Sequence, residues 1–230
     1  MANFSGGAVA PSGVQLLAGS GVTFSGTTTS LTITASGSAG SLYPAPTIPV
    51  DGDFAWITQD GASTTVNGNG GISLTKPAHS GLSVAIRKKA APATPYTLTA
   101  ALFGNMLSAN FQDGGLCLRD ATGGKFILFG FRRDSGNIPL LVIQRYNSAT
   151  SFSATAASLS AGPPGGLWWL RVLDDGTNRK YSYSMDGYSF VQVLSETRVT
   201  FTTTDEIGFC VSEQTNVYAM GLTVISFATA

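Results

Sequence analysis

Apolar residues recur at every second position through most of this chain, the period of a strand with one face buried. In "YTLTAALF", Tyr96, Leu98 and Ala100 alternate with Thr97 and Thr99. "KYSYSM" puts Tyr181, Tyr183 and Met185 on one face, and "EIGFCVS" sets Ile207, Phe209 and Val211 against Gly208 and Cys210. "YAMGLTVISF" aligns Met220, Leu222 and Val224. "KFILFGF", "IPLLVIQRY" and "LWWLRVL" are nearly continuous apolar runs, as expected of strands covered on both faces. Asp186-Gly187 in "MDGYSFVQVL" separates two strand patterns; such a pair predicts a hairpin turn with positive φ at the glycine. No stretch combines a helical period with caps, and "SATAASLSAG" (153–162) reads as a loop or a single turn. Short strands joined by Gly-rich turns predict an all-β fold, a two-sheet antiparallel jelly-roll sandwich. Trp169, Tyr183, Phe190, Phe209 and Leu222 are expected in or next to its core.

The start of the chain follows another pattern. "GSGVTFSGTTTSLTITASG" (19–37) is Gly, Ser and Thr, with only Val22, Phe24, Leu31 and Ile33 spaced as the core residues of a strand pair. Four such side chains do not offset a backbone-ordering cost of roughly 1–2 kcal/mol per residue, so this hairpin is expected to pack on a partner. Pro44, Pro46 and Pro49 in "SLYPAPTIPVDGD" read as a stiff, extended linker. The expected organisation is therefore an attachment or oligomerisation segment over 1–45 and the sandwich over 46–230.

Composition narrows the partners. Charged residues make up 11% of the 230, against roughly 25% in an ordinary soluble domain, which implies that part of the surface is hidden in an assembly. No apolar run approaches the ~18 residues of a membrane span, so no membrane insertion is expected. The 13 basic and 13 acidic residues cancel, and the densest basic cluster, Arg87, Lys88 and Lys89, reads as a solvated turn. Nucleic acid is therefore not an expected partner. "MANFSGGAVAPSG" lacks the basic and apolar regions of a secretory signal. With no oxidising compartment implied, Cys117 and Cys210 are expected to be buried free thiols.

Catalytic chemistry has few candidates. His79, the single histidine, sits in the turn-like "KPAHSG", so a multi-histidine metal site is excluded. There is no G-x-S-x-G elbow, and "GGKF" is not a P-loop. Most aspartates lie in turn contexts such as "LDDG", "MDGY" and "FQDGG". Asp51 and Asp53 supply too few oxygens for a calcium loop. The expectation is no catalytic residue, no metal and no cofactor. For ligand binding, aromatic faces and nearby polar groups matter most. Trp168 and Trp169 point to opposite faces of one strand, which offers Trp168 as a stacking candidate. "GFRRDSGN" and "QRYNS" place Arg132, Arg133, Arg145 and Tyr146 near one hairpin, the remaining ligand-binding candidates.

Three stretches, "GGLCLRD", "WWLRVLDDGTNRKYSYSMDGYSFVQV" and "EIGFCVSEQTNVYAMGLTVISF", resemble the concanavalin A-like lectin/glucanase superfamily over roughly residues 50–230. That resemblance implies the sandwich and leaves lectins, enzymes and interaction modules open. The alternating glutamate–aspartate cluster of the glucanases is absent, which argues against hydrolysis. The segment "GSGVTFSG-x-x-x-SLTITASG" resembles linkers of bacteriophage tail and fibre proteins. Together the two resemblances imply a bacteriophage virion structural protein, of the tail, the fibre or the capsid decoration, assembled in the host cytoplasm. It would hold other virion proteins through its N-terminal segment, form a homo-oligomer (a trimer by analogy with fibres) and present a receptor-binding sandwich to a host cell-surface glycan. The alternatives are a non-viral carbohydrate-binding module and a glycan depolymerase.

Overall fold

The computed structural model describes residues 22–27, 30–35, 44–105, 111–136, 138–160, 166–214 and 218–230. The chain divides into two units, Met1–Leu42 and Tyr43–Ala230. In the first, β1 (Val22–Thr27) and β2 (Ser30–Ala35) form an antiparallel hairpin in which Phe24 lies opposite Ile33. The rest of the expected attachment segment up to residue 43 lies outside the described residues.

The second unit is a sandwich of two seven-stranded antiparallel sheets. The first sheet contains β3 (Ala55–Ile57), β6 (Val84–Ala90), β8 (Asp113–Arg119), β9 (Phe126–Arg133), β10 (Pro139–Ser148), β11 (Ser151–Ser160) and β15 (Glu206–Ser212). Their spatial order is β11-β10-β9-β8-β15-β6-β3. The second contains β4 (Ser63–Val66), β5 (Ile72–Lys76), β7 (Tyr96–Asn105), β12 (Trp168–Asp174), β13 (Asn178–Ser184), β14 (Val191–Thr197) and β16 (Met220–Thr229), in the order β14-β13-β12-β7-β16-β5-β4.

Alternation along each strand sends one set of side chains between the sheets. Leu116, Leu118, Ile127, Phe129, Ile207 and Phe209 from the first sheet meet Leu74, Leu98, Leu102, Leu170, Tyr181 and Leu222 from the second. Burying side chains of this size contributes about 1.5–3 kcal/mol each. In β16 the parity changes at Ile225, where the pairing with β7 slips by one residue. Val224 and Phe227 therefore both face the core, although their spacing is odd.

Three sequence expectations change. Residues 153–160 belong to β11, a strand of small residues imposed by pairing with β10 rather than by its own pattern. Arg87, Lys88 and Lys89 lie within β6 and alternate in direction instead of forming a solvated turn. The buried Arg87 guanidinium donates to the Asp51 carboxylate at 2.7 Å, Lys88 pairs with Glu206, and the Lys89 ammonium sits over the Phe54 and Phe227 rings. Trp168, not Trp169, joins the core between the sheets. Trp169 is buried on the outer face of the second sheet, while Phe190 is half-buried beneath the Arg171 guanidinium, 3.5 Å from its ring centre.

The proline-rich stretch is docked on the sandwich. Thr47 N donates to Ser226 Oγ at 2.9 Å, and Phe227 N donates to Thr47 O at 2.8 Å. Gly187 carries the expected positive φ, +78°, in the 185–190 turn. A Cβ there would lie 2.6 Å from Pro44 and 2.8 Å from Trp169.

Candidate functional site

The outer face of the first sheet is not open. Val84, Ile86, Cys117, Phe126, Leu128, Val142, Tyr146 and Cys210 form a second buried apolar cluster on it. The sheet curls until the turn between β10 and β11 reaches β6, where Val84 N donates to Ala149 O at 2.9 Å. These strands stand four places apart in the sheet order, so the sheet rolls over its own face. This explains why "KFILFGF" and "IPLLVIQRY" are apolar on both sides. Cys117 and Cys210 are free and buried inside the roll, and burial pushes the Cys210 thiol up.

One end of the roll is polar. Asp113 opens β8 opposite Arg132 on β9 and Ser212 on β15. Its carboxyl is fully buried, 3.6 Å from Arg132 Nε, and accepts from Gln214 Nε2 at 3.3 Å. Burial pushes the Asp113 pKa up to about 7; Arg132 and Gln214 pull against that rise, and Glu213 adds to it. Tyr146 is fully buried, stacked on Phe126 with centroids 4.6 Å apart, and donates from its hydroxyl to Gln144 Oε1 at 2.6 Å. Asp113 Oδ1, Gln144 Nε2 and Ser212 Oγ have no hydrogen-bond partner among the described residues. At the rim, the Arg132 guanidinium lies 4.9 Å from the ring centre of Phe111, whose φ of +59° is strained for a bulky residue. Gln112 donates to Tyr218 O at 3.3 Å, and the Tyr218 side chain is exposed. Buried polar groups without partners, a displaced carboxyl pKa and strained backbone coincide here, as they do at functional sites.

The other end opens into a cavity of about 250 Å3. Ile57 and Ile86 give it an apolar floor; Arg119, Thr58, Ser148 and Thr150 line the rest. Arg119 and Lys88 both bind the Glu206 carboxylate. Burial raises the Glu206 pKa, but these two hydrogen bonds outweigh it and hold the pKa below its usual value.

The sequence candidates are distributed by this architecture. Arg132 and Tyr146 share the polar end. Arg145 points between the sheets, where it pairs with Glu196, the carboxylate that also accepts from Tyr181 OH at 2.9 Å. Trp168 packs in the core against Phe131 and Tyr183, so its ring presents no stacking face. Arg133 is half-buried, and its backbone joins those of Phe111 and Gln112. The sequence reading missed Asp113, taken as a turn aspartate in "FQDGG", along with Phe111, Gln214 and Arg119. An aspartate followed by two glycines at the head of an apolar run was the available signal for Asp113. Among the described residues no three His, Cys, Asp or Glu side chains gather as a metal site. His79 is engaged locally: its Nε2 lies 3.2 Å from Asp60.

No protein-family profile and no curated protein sequence matches the chain. Solved structures do. A functionally unknown protein from Saccharomyces cerevisiae is similar with a TM-score of 0.58 and 14% identity, over 78% of this chain and 96% of that one. The exoplasmic/lumenal domain of VIP36, in a Ca2+/Man3GlcNAc-bound form, gives 0.55 and 11%, over 77% and 83%. The Lotus tetragonolobus seed lectin gives 0.52 and 11%, over 80% and 95%. At such identities the likeness is one of fold, and that fold is the lectin-type two-sheet sandwich.

Proposed function

We propose that the sandwich is a carbohydrate-binding domain whose ligand meets the polar end of the rolled sheet. The observation that supports this is the Asp113 group: a buried carboxyl whose Oδ1 lies 3.6 Å from Arg132 without a hydrogen bond and whose Oδ2 accepts from Gln214, beside the Arg132–Phe111 stack. Saccharides are recognised by such combinations, in which planar polar groups take hydroxyls and an apolar face takes the ring. The neighbours in fold include a seed lectin and a domain bound to Man3GlcNAc, which is consistent with the reading. Binding without cleavage is expected, and because Asp113 has a second carboxylate, Glu213, near enough to raise its pKa, sugar release is the outcome to check against it. A glycan array with a parallel reducing-sugar release assay tests this. The expected result is selective binding lost in Arg132→Ala and Gln214→Ala, with no sugar released. Binding unaffected by both variants, or sugar release, overturns it.

The division of the chain at residue 42 supports a second component of the reading. The unit before it has a two-stranded hairpin as its described structure, and such a hairpin needs a partner surface. We infer a virion structural role of the tail, fibre or decoration kind, with this segment as the attachment and the sandwich as the receptor-facing part. Immunogold labelling of purified phage particles tests it, and absence of the protein from particles removes it.

A further inference from the structure

We propose that the cavity at the far end of the roll is a second subsite, which binds the carboxylate of an acidic sugar residue. The inference takes the carbohydrate reading as its starting point. Among the described residues, Arg119 is the one charged side chain lining this cavity. Its Nη1 is tied to Glu206, which orients the guanidinium while leaving other N–H groups for a ligand. Glu206 is shared with Lys88, so two cations face this one carboxylate. The neighbouring turn acids are held by backbone amides of the same turn and not by Arg119: Asp120 accepts from Thr122 N and Gly123 N, and Asp205 from Ala121 N. A planar guanidinium suits a carboxylate better than a hydroxyl, because it offers two parallel donors to two oxygens.

The remaining walls fit a sugar ring. Thr58, Ser148 and Thr150 bring hydroxyls, and Ile57 and Ile86 provide an apolar floor for one ring face. Thr58 is held at φ +52°, a sparsely populated conformation for a β-branched residue. The turn carrying Ser148 and Thr150 is fixed by the bond from Val84 N to Ala149 O, so the wall is set before a ligand arrives. About 250 Å3 is room for a single ring, not for a long oligosaccharide.

The test is an amide-shift NMR titration of the full chain with D-glucuronate, D-glucose and acetate, together with Arg119→Gln, Thr150→Val and Thr223→Ala. Glucuronate is expected to shift Thr58, Ser148 and Thr150 and to bind about tenfold or more tightly than either glucose or acetate. Arg119→Gln should weaken it about ten- to hundredfold, and Thr223→Ala, on the outer face of the other sheet, should leave it unchanged. Glucose or acetate binding as well as glucuronate overturns the proposal, as does an unaltered affinity in folded Arg119→Gln. If Arg119→Gln does not fold, wild-type shifts confined to residues 111–132 overturn it, while shifts at 148–150 weakened in Thr150→Val support it. Failure of the polar-end reading appears separately, as an Arg132→Ala protein that keeps its array profile.

Discussion

Both sheets have seven antiparallel strands and send alternate side chains to a common core, yet their outer faces differ in kind. On the second sheet that face is a polar surface: Ser73 Oγ meets Thr223 Oγ1 at 2.9 Å, and Arg171 Nε donates to Thr99 Oγ1 at 3.2 Å. On the first, curvature encloses a second apolar cluster and buries Asp113, Gln144 and Tyr146 with it. The second sheet also buries polar groups, Lys76, Asp174 and Arg179, but on the face it turns to the core, whereas the first encloses polar groups on its outer face as well. The enclosed outer face is therefore where function is expected.

The largest effect should come from emptying the roll. Phe126→Ala removes the ring stacked on Tyr146, and deletion of a buried aromatic costs about 3–5 kcal/mol. Thr223→Ala on the other outer face should cost less than about 1 kcal/mol. Chemical denaturation of both variants makes the comparison, and equal losses would mean that the first sheet's outer face is not a second core.

The Asp113 carboxyl gives the roll a pH signature. Its pKa rises from 3.8 to about 7 on folding, so between these values the native state holds a proton that the unfolded state has released. Stability from this group is therefore present at pH 4, declines as pH rises, and is lost above about pH 7. At about 1.4 kcal/mol per unit, Asp113→Asn should flatten the stability difference between pH 4 and pH 8 by roughly 2–4 kcal/mol. Identical slopes in the two proteins would place Asp113 in a solvated environment.

How much of this was legible follows from which features are local. Strand parity outside the Trp168–Trp169 pair, the two-sided burial of β9 and β10 and the positive φ at Gly187 all depend on near neighbours in sequence, and all were readable. The strand at 151–160 was not, since Ser and Ala there carry no period and pairing alone extends them. Nor was the roll itself. It brings the turn at Ala149 to Val84, a contact that no spacing encodes. Arg119 and Arg132 stand at opposite ends of the roll for that reason, although both belong to short basic motifs of similar appearance. Phe227 was hidden by the slip at Ile225, which shifts the apolar parity without any Gly or Pro to mark it.

On the second sheet, Gly187 tests a place where the outer face is covered. Val at this position would adopt a disfavoured φ and press on Pro44 and Trp169, so a loss of roughly 1–3 kcal/mol is expected. Gly187→Ala should lose less than Val, because it lacks β-branching. A melting temperature unchanged by either variant would show that neither the turn nor Pro44 is held as described.

The smallest effect should come from cutting the chain at its division. The bonds that hold residues 44–50 run to Ser226 and Phe227 within the sandwich, so a protein beginning at Tyr43 keeps all of them. Its stability should stay within about 0.5 kcal/mol of the full chain, the range of changes that touch no buried feature. A protein beginning at Val50 instead loses Pro44 over Gly187 and both backbone links through Thr47, and should melt several degrees lower. If the hairpin unit carries self-association, both truncations should be monomeric by analytical ultracentrifugation while the full chain is oligomeric. Should the protein beginning at Tyr43 keep the full-length oligomeric state, assembly belongs to the sandwich, and the hairpin needs another role.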